Sequence, residues 1–414
     1  MCVASFNGRP TGAALCFETR SEDVVEAGSG KKFWHPPLWK WALVLGLLGC
    51  AEFLFWGRRP DAPVKVELLP FTDSPPAWDG SQPWLVISPI AGDGPIRFKA
   101  AIEMVKPTLR HDEPVNEFVV NLRNGNFKLR QTDLFVPDVV PLALTRTYFA
   151  WDPHSHAFGV GTNHPYDICP TGTRYPYTYQ VLNLEDGSEV YMPRISKGTG
   201  YADAVFRYDQ SSSEFYGAIT AWNGNGWTMK FPDGRKIYFP EAYYAKNFAQ
   251  GAATEMVDAE GHRIQLKRSN VRNLEQLISP VGHTITFKYD ASDRIVEARD
   301  DAGHHRSYSY GDGGHVTAVT DGSHVLYRFE YQRIMPGAGN DPWLLTAILD
   351  GDWNILVKNK FFNGRVIDQT LGDGKIYRYE YVVKGSEVLQ TAVTFPSGER
   401  RVFFFRNGRL IEPK

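Results

Sequence analysis

One short phrase recurs between residues 184 and 409: a polar turn centred on glycine, then residues that alternate polar and apolar, many of them aromatic. Copies open at Leu184-Glu-Asp-Gly-Ser, Phe231-Pro-Asp-Gly-Arg, Asp258-Ala-Glu-Gly-His, Pro280-Val-Gly-His, Asp300-Asp-Ala-Gly-His, Gly372-Asp-Gly-Lys and Phe395-Pro-Ser-Gly-Glu. A repeat constrains architecture more than any single residue does, because each unit buries its apolar face only against its neighbours. Glycine closes the turn at positive φ without a Cβ clash. After the turn, Lys375, Tyr377, Tyr379 and Tyr381 alternate with Ile376, Arg378 and Glu380. A period of two sends the two sets to opposite faces of a strand. The turn glycines Gly261, Gly282 and Gly303 are 21 residues apart. That is room for about two strands of six or seven residues and two short turns. One repeat is therefore one β-hairpin, and spacings of 19 (Gly303 to Gly322) and 23 (Gly351 to Gly374) make the array irregular. The expected fold class is all-β: irregular antiparallel hairpin repeats forming a curved or spiralling sheet.

Composition agrees with that class. Of 414 residues, 43% are hydrophobic and 14% aromatic, enough for a sizeable core, and 38 glycines with 27 prolines suit a turn-rich chain. The net charge of −2, with no basic run beyond pairs, gives no nucleic-acid footprint. Only Cys169 of the four cysteines lies in the repeat-bearing part, so packing and strand pairing must hold it rather than a disulfide.

Upstream the texture changes. Residues 1–33 read as a polar tail, and 34–57 as one transmembrane anchor whose apolar run is Leu38 to Trp56. Helical residues rise about 1.5 Å each, so this run crosses most of a ~30 Å hydrocarbon layer. Trp34, Trp39, Trp41 and Trp56 sit near its ends as interfacial anchors do. Leu47-Leu-Gly-Cys50 resembles a lipoprotein box, making Cys50 a candidate lipidation site, although the apolar Phe53-Leu-Phe-Trp56 follows it. Residues 58–113, rich in proline, read as a spacer or small β cap, 114–183 as a separate module, and 184–414 as the repeats. Glu241 to Gln250 is a candidate short helix.

The stretch Asn121 to Tyr148 contains Gly125, Asp133-Leu134, Pro137, Pro141-Leu142, Arg146 and Tyr148, followed by Phe158-Gly-Val-Gly161 and Tyr166-Asp167. This order resembles the module that opens Rhs (YD-repeat) proteins, with Thr162 where tryptophan is usual. Tyr289-Asp-Ala-Ser-Asp-Arg-Ile-Val296 and Tyr310-Gly-Asp-Gly-Gly-His-Val-Thr317 resemble YD repeats; Asp293 replaces the glycine of the first. The resemblance covers about residues 115–410. It implies a β-sheet strip that spirals with aromatic faces inward, enclosing a C-terminal toxin in large members. The self-cleavage motif Asp-Pro-x-Gly-Leu of those members is missing; Asp341-Pro-Trp-Leu344 is the nearest string.

Candidate chemistry is sparse. Asp152, His154, His156, His164, Asp167 and Cys169 cluster in sequence and read as loop polar residues unless they converge in a pocket, in which case a hydrolase follows. No metal-binding or nucleophile motif accompanies them, so no catalytic, metal or cofactor site is expected. The aromatic stripe, which also holds Phe329 and Tyr381, is mostly core; Tyr308, Tyr310, Tyr327, Tyr331, Tyr377 and Tyr379 are the candidate binding surface if the sheet is open. The expected function is a non-enzymatic, single-pass membrane protein, anchored by residues 38–56, with its β region periplasmic or extracellular. Its partner would be another Rhs/YD chain or a cell-surface polysaccharide. The alternative is a truncated or split component of an Rhs-type toxin-delivery shell.

Overall fold

A computed structural model describes residues 79–92, 95–109, 113–246, 248–269, 273–333 and 343–411. All of them fall in one compact unit, Lys65–Lys414. The proposed anchor, Cys50 and the tail lie outside the described residues. Among the described residues no helix is long and apolar enough to cross a membrane.

The described chain is all-β, as expected, in antiparallel sheets. The first sheet is built from β1 (Gln82–Ile90), β2 (Arg97–Val105), β3 (Asn116–Asn121), β4 (Phe127–Val136) and β5 (Leu142–Phe149), with the short Thr162–Asn163 at its edge, in the order β2-β1-β3-β4-β5 and then that edge. Because β1 pairs with β3 from Trp84↔Asn121 to Ile87↔Phe118, no boundary exists near residue 113. The described residues of the proline-rich stretch thus contribute two strands of the first sheet. Leu85, Ile87, Phe118 and Val120 are wholly buried, while β2 is largely exposed. A three-stranded sheet, Cys169–Gly172, Tyr179–Asn183 and Glu189–Pro193, spans the boundary expected at 183. The described residues of 241–250 form no α-helix; a 3-10 turn lies at Phe248–Gly251.

From Val205 to Ile411, 19 strands follow one another as a meander, each paired with the next in sequence. The hairpin turns have a shared chemistry. Asp258, Asp290, Asp300 and Asp350 accept from the backbone N–H four residues on and hydrogen-bond the side chain there, which is His262, Arg294, His304 and Asn354. The aspartates thus close the turns through short local bonds. Asp293 holds φ 58, the left-handed conformation that glycine takes in related turns; aspartate is one of the few residues that visits it readily.

The meander packs against the first sheet, and one core cluster contains both. Val160 N–H donates to Gly314, Ile295 N–H to Ala157 and Val366 N–H to Gly125. The Thr391 hydroxyl donates to the Leu122 carbonyl. Trp151 lies on Gly364 and donates to its carbonyl at 3.2 Å, and a Cβ on Gly364 would stand 1.8 Å from that ring.

Candidate functional site

The residues that carry the Rhs resemblance meet at the seam between the first sheet and the meander. Asp133 on β4 and Arg146 on β5 form a buried ion pair at 3.0 Å, and Arg146 also donates to Gln131. The Arg146 guanidinium lies 4.9 Å from the Phe329 ring centre. Tyr308 crosses the seam to donate to Asp133 at 3.0 Å, and burial pushes its hydroxyl pKa well up. Tyr148 donates to the Trp343 carbonyl and accepts from Leu345 N–H, both at 3.1 Å. Phe158 packs edge-on against Tyr308, with ring centres 4.8 Å apart. The motif is therefore a joint: a buried charge pair whose remaining valences are met by Gln131 beside it and by Tyr308 from the other sheet.

The six tyrosines expected to form an open binding surface lie along this same inward face. Tyr308, Tyr377 and Tyr379 are buried, and Tyr310, Tyr327 and Tyr331 are partly covered and packed against the core. Tyr310 donates to the Ile295 carbonyl, Tyr379 to Gln369, and Tyr331 packs edge-on to Tyr148. The platform expectation is thus corrected, because the first sheet covers the face that the alternation pattern pointed inward.

The His154–Cys169 stretch also resolves into separate roles. Asp152 is shared by His154 at 2.9 Å and His156 at 2.7 Å. Burial works against the charge on Asp152, but bonds from these histidines hold its pKa at about 2. His164 is fully buried, neither ring nitrogen has a hydrogen-bond partner, and its Nε2 stands 3.9 Å from Asp167. Burial opposes the Asp167 charge, yet attraction to His164 and Arg268 holds its pKa low. Burial outweighs that attraction at His164, whose pKa is lowered. We therefore credit Arg268, which donates to Asp167 at 2.8 Å, with holding the carboxylate. Burial pushes the Cys169 thiol up to about 12, so it is protonated and a weak nucleophile at neutral pH. Asp167 and Cys169 border a cavity of about 600 Å³ that His164 does not line. The three do not form a nucleophile–base–orienter chain. Elsewhere, Asp258, Glu260 and His262 have ligand atoms within 4.8 Å of one another, but the Asp258–His262 pair closes a turn.

A second cavity, of about 340 Å³, shares Pro170, Thr171, Gly172, Arg174 and Ala242 with the first. It is an aromatic cleft, and sequence reasoning missed it. Tyr175 and Tyr177 come from the loop after Cys169–Gly172, Tyr201 from a later loop, Trp222 and Trp227 from neighbouring strands of the meander, and Tyr243 and Tyr244 from the loop after Pro240. The rings meet steeply: Trp222–Trp227 at 76°, Tyr201–Trp222 at 75°, Tyr175–Tyr243 at 78° and Tyr243–Tyr244 at 82°. Tyr175, Tyr201 and Tyr244 are 71%, 45% and 86% exposed at the mouth. Tyr175 holds φ 50, a strained value for a non-glycine residue. Arg174 lies 4.9 Å from the Tyr243 ring centre and donates to the carbonyls of Ala242 and Tyr243. Gln180, 5% exposed, lines the cleft, and its Oε1 has no hydrogen-bond partner. The available signal was aromatic density in loops, where no inward strand face accounts for it.

Residues 119–191, which span most of the joint's first-sheet side, match a family described as a domain of unknown function, DUF6531. Over 146 residues the chain is 27% identical to the double-stranded DNA deaminase toxin A of Burkholderia cenocepacia (strain H111), covering 33% of this chain and 10% of that protein. The chain thus spans about a tenth of the length of the curated relative it matches. A solved structure, that of TcdB2-TccC3-Cdc42, aligns with 70% of this chain and 20% of its own at 11% identity and a TM-score of 0.24.

Proposed function

We propose that this chain is a non-enzymatic, membrane-anchored β scaffold of an Rhs-type toxin system. One observation carries the reading: the Rhs-like motif residues Asp133, Arg146 and Tyr148 are spent on joining the first sheet to the meander. Residues buried in a structural joint are not presented to a substrate. The protonated Cys169, and a His164 whose ring nitrogens hydrogen-bond neither Asp167 nor Cys169, further support a non-catalytic role. The toxin relative's name supports the system in which such a scaffold would serve. In this reading residues 38–56 hold the chain in the membrane, with the sheet outside the cytoplasm. The last described strand, Arg409–Ile411, pairs with Arg400–Arg406 in the sheet order.

The test uses the full chain in mild detergent, incubated with double-stranded DNA and assayed for uracil, and expressed in bacterial cells with growth followed. Unchanged DNA and unimpaired growth are expected; deamination or killing by this chain alone would overturn the non-enzymatic reading. Protease accessibility in intact and permeabilised cells checks the topology. Digestion of the β region from the cytoplasmic side would reverse the orientation proposed.

A further inference from the structure

The aromatic cleft holds a buried acceptor without a donor. The Gln180 side-chain oxygen lines the cleft, is shielded from bulk solvent and has no hydrogen-bond partner. Such a group is costly unless something donates to it. The rings at the mouth keep surface to spare, since Tyr175 and Tyr244 meet Tyr243 at steep angles and stay largely exposed.

We propose that this cleft binds an uncharged polysaccharide, a short stretch of it at a time. Three features select that ligand. The first is the acceptor: a sugar hydroxyl donates to Gln180, whereas a proline-rich peptide, the other ligand that aromatic slots suit, has no N–H at its prolines. The second is charge. The charged side chains lining the cleft are Arg174 and Glu241, one of each sign. Both are committed, Arg174 to backbone carbonyls and the Tyr243 ring, Glu241 to Tyr243 N–H. A net charge on the ligand would find no free partner. The third is the surface, because the C–H face of a sugar ring packs on an exposed aromatic face while its hydroxyls stay wet. The volume of about 340 Å³ is at the small end of the ~300–1,000 Å³ typical of ligand sites, which suits a few rings of a longer chain. Gly172, paired with Gln180 across the strands, leaves no room for a side chain, for a Cβ there would lie 2.3 Å from the Tyr179 carbonyl oxygen.

The experiment titrates the full chain in detergent micelles with uncharged hexasaccharides of glucose and of N-acetylglucosamine, followed by calorimetry and by tryptophan fluorescence. Saturable binding of one of them at about 10 μM to 1 mM is expected, in the range of a few such contacts. The double variant Tyr175→Ala/Tyr244→Ala removes exposed rings only, and is expected to weaken binding about tenfold or more. Gln180→Leu is expected to weaken it about tenfold, the worth of one buried hydrogen bond. Phe362→Ala, which changes an exposed ring outside the cleft, leaves binding unchanged. The proposal fails if no uncharged hexasaccharide binds at millimolar concentration, or if binding survives the double variant. It also fails if a proline-rich peptide competes for the cleft with higher affinity.

Discussion

Tyrosines of the seam and tyrosines of the cleft are the same side chain put to opposite uses. At the seam, Tyr148, Tyr308 and Tyr379 are buried and each hydroxyl has a partner. At the cleft, Tyr175, Tyr201 and Tyr244 keep ring surface in water. A buried ring with its hydroxyl satisfied stabilises the fold, while clustered exposed rings add little to it and mark a place where something else is met. The difference locates function outside the repeat's inner face, which is where the alternation of aromatics draws the eye.

The largest effect that would break this comparison comes from the charge pair. Asp133→Ala leaves Arg146 buried without its carboxylate, and is expected to cost about 3–5 kcal/mol in denaturant unfolding. Replacing both, Asp133→Leu with Arg146→Met, should cost less than Asp133→Ala alone; a greater loss would mean that the pair is not the joint's critical element. The same change of scale should be absent at the cleft.

The second effect is on pH. Burial, with repulsion from Asp186, pushes the Glu185 carboxyl up from 4.5 to about 7. The folded state therefore holds this proton more tightly than the unfolded chain. Its contribution is full below pH 4.5 and is lost as pH rises through about 7, a difference of about 3 kcal/mol. Buried His164 and His315, with lowered pKa values, work the other way, contributing above pH 6.5 and losing it as pH falls. The comparison of wild type with Glu185→Gln from pH 4 to 8 isolates the carboxyl, and the gap between the two melting curves should change across that window. A constant gap would show that Glu185 titrates normally.

A smaller effect is expected at Tyr148→Phe, which strips Leu345 N–H and the Trp343 carbonyl of their partner and should cost about 1–3 kcal/mol. The smallest is Tyr244→Ala, expected to leave unfolding within about 0.5 kcal/mol of wild type. If the last two were equal, the division between seam and cleft would lose its meaning.

Local signals carried the hairpins into view. A period of two, a glycine turn and an aspartate at its start are properties of neighbouring residues, so Asp258–His262 and Asp300–His304 turns could be anticipated from the string alone. What covers a strand face is not local. Asp133 and Tyr308 are 175 residues apart, and Leu122 and Thr391 are 269 apart, so no pattern within a repeat reveals that the first sheet packs against the meander. That is why Tyr308, Tyr377 and Tyr379 read as an open platform. It is also why the apolar run Trp84–Ile87 was visible within the proline-rich stretch but its partner was not: the run pairs with Phe118–Asn121 across more than thirty residues. The cleft was invisible for the same reason, being assembled from loops near residues 175, 201 and 243 and from the strands that carry Trp222 and Trp227.

The account rests on the first sheet and the meander being one cooperative body. Amide hydrogen exchange on the full chain, read by mass spectrometry at increasing denaturant, tests that most directly. The account predicts that peptides covering Phe127–Phe149 and Trp343–Leu371 lose protection together, and that Asp133→Ala lowers both by the same amount. Exchange of the meander segment at its own lower free energy, unmoved by Asp133→Ala, would contradict it.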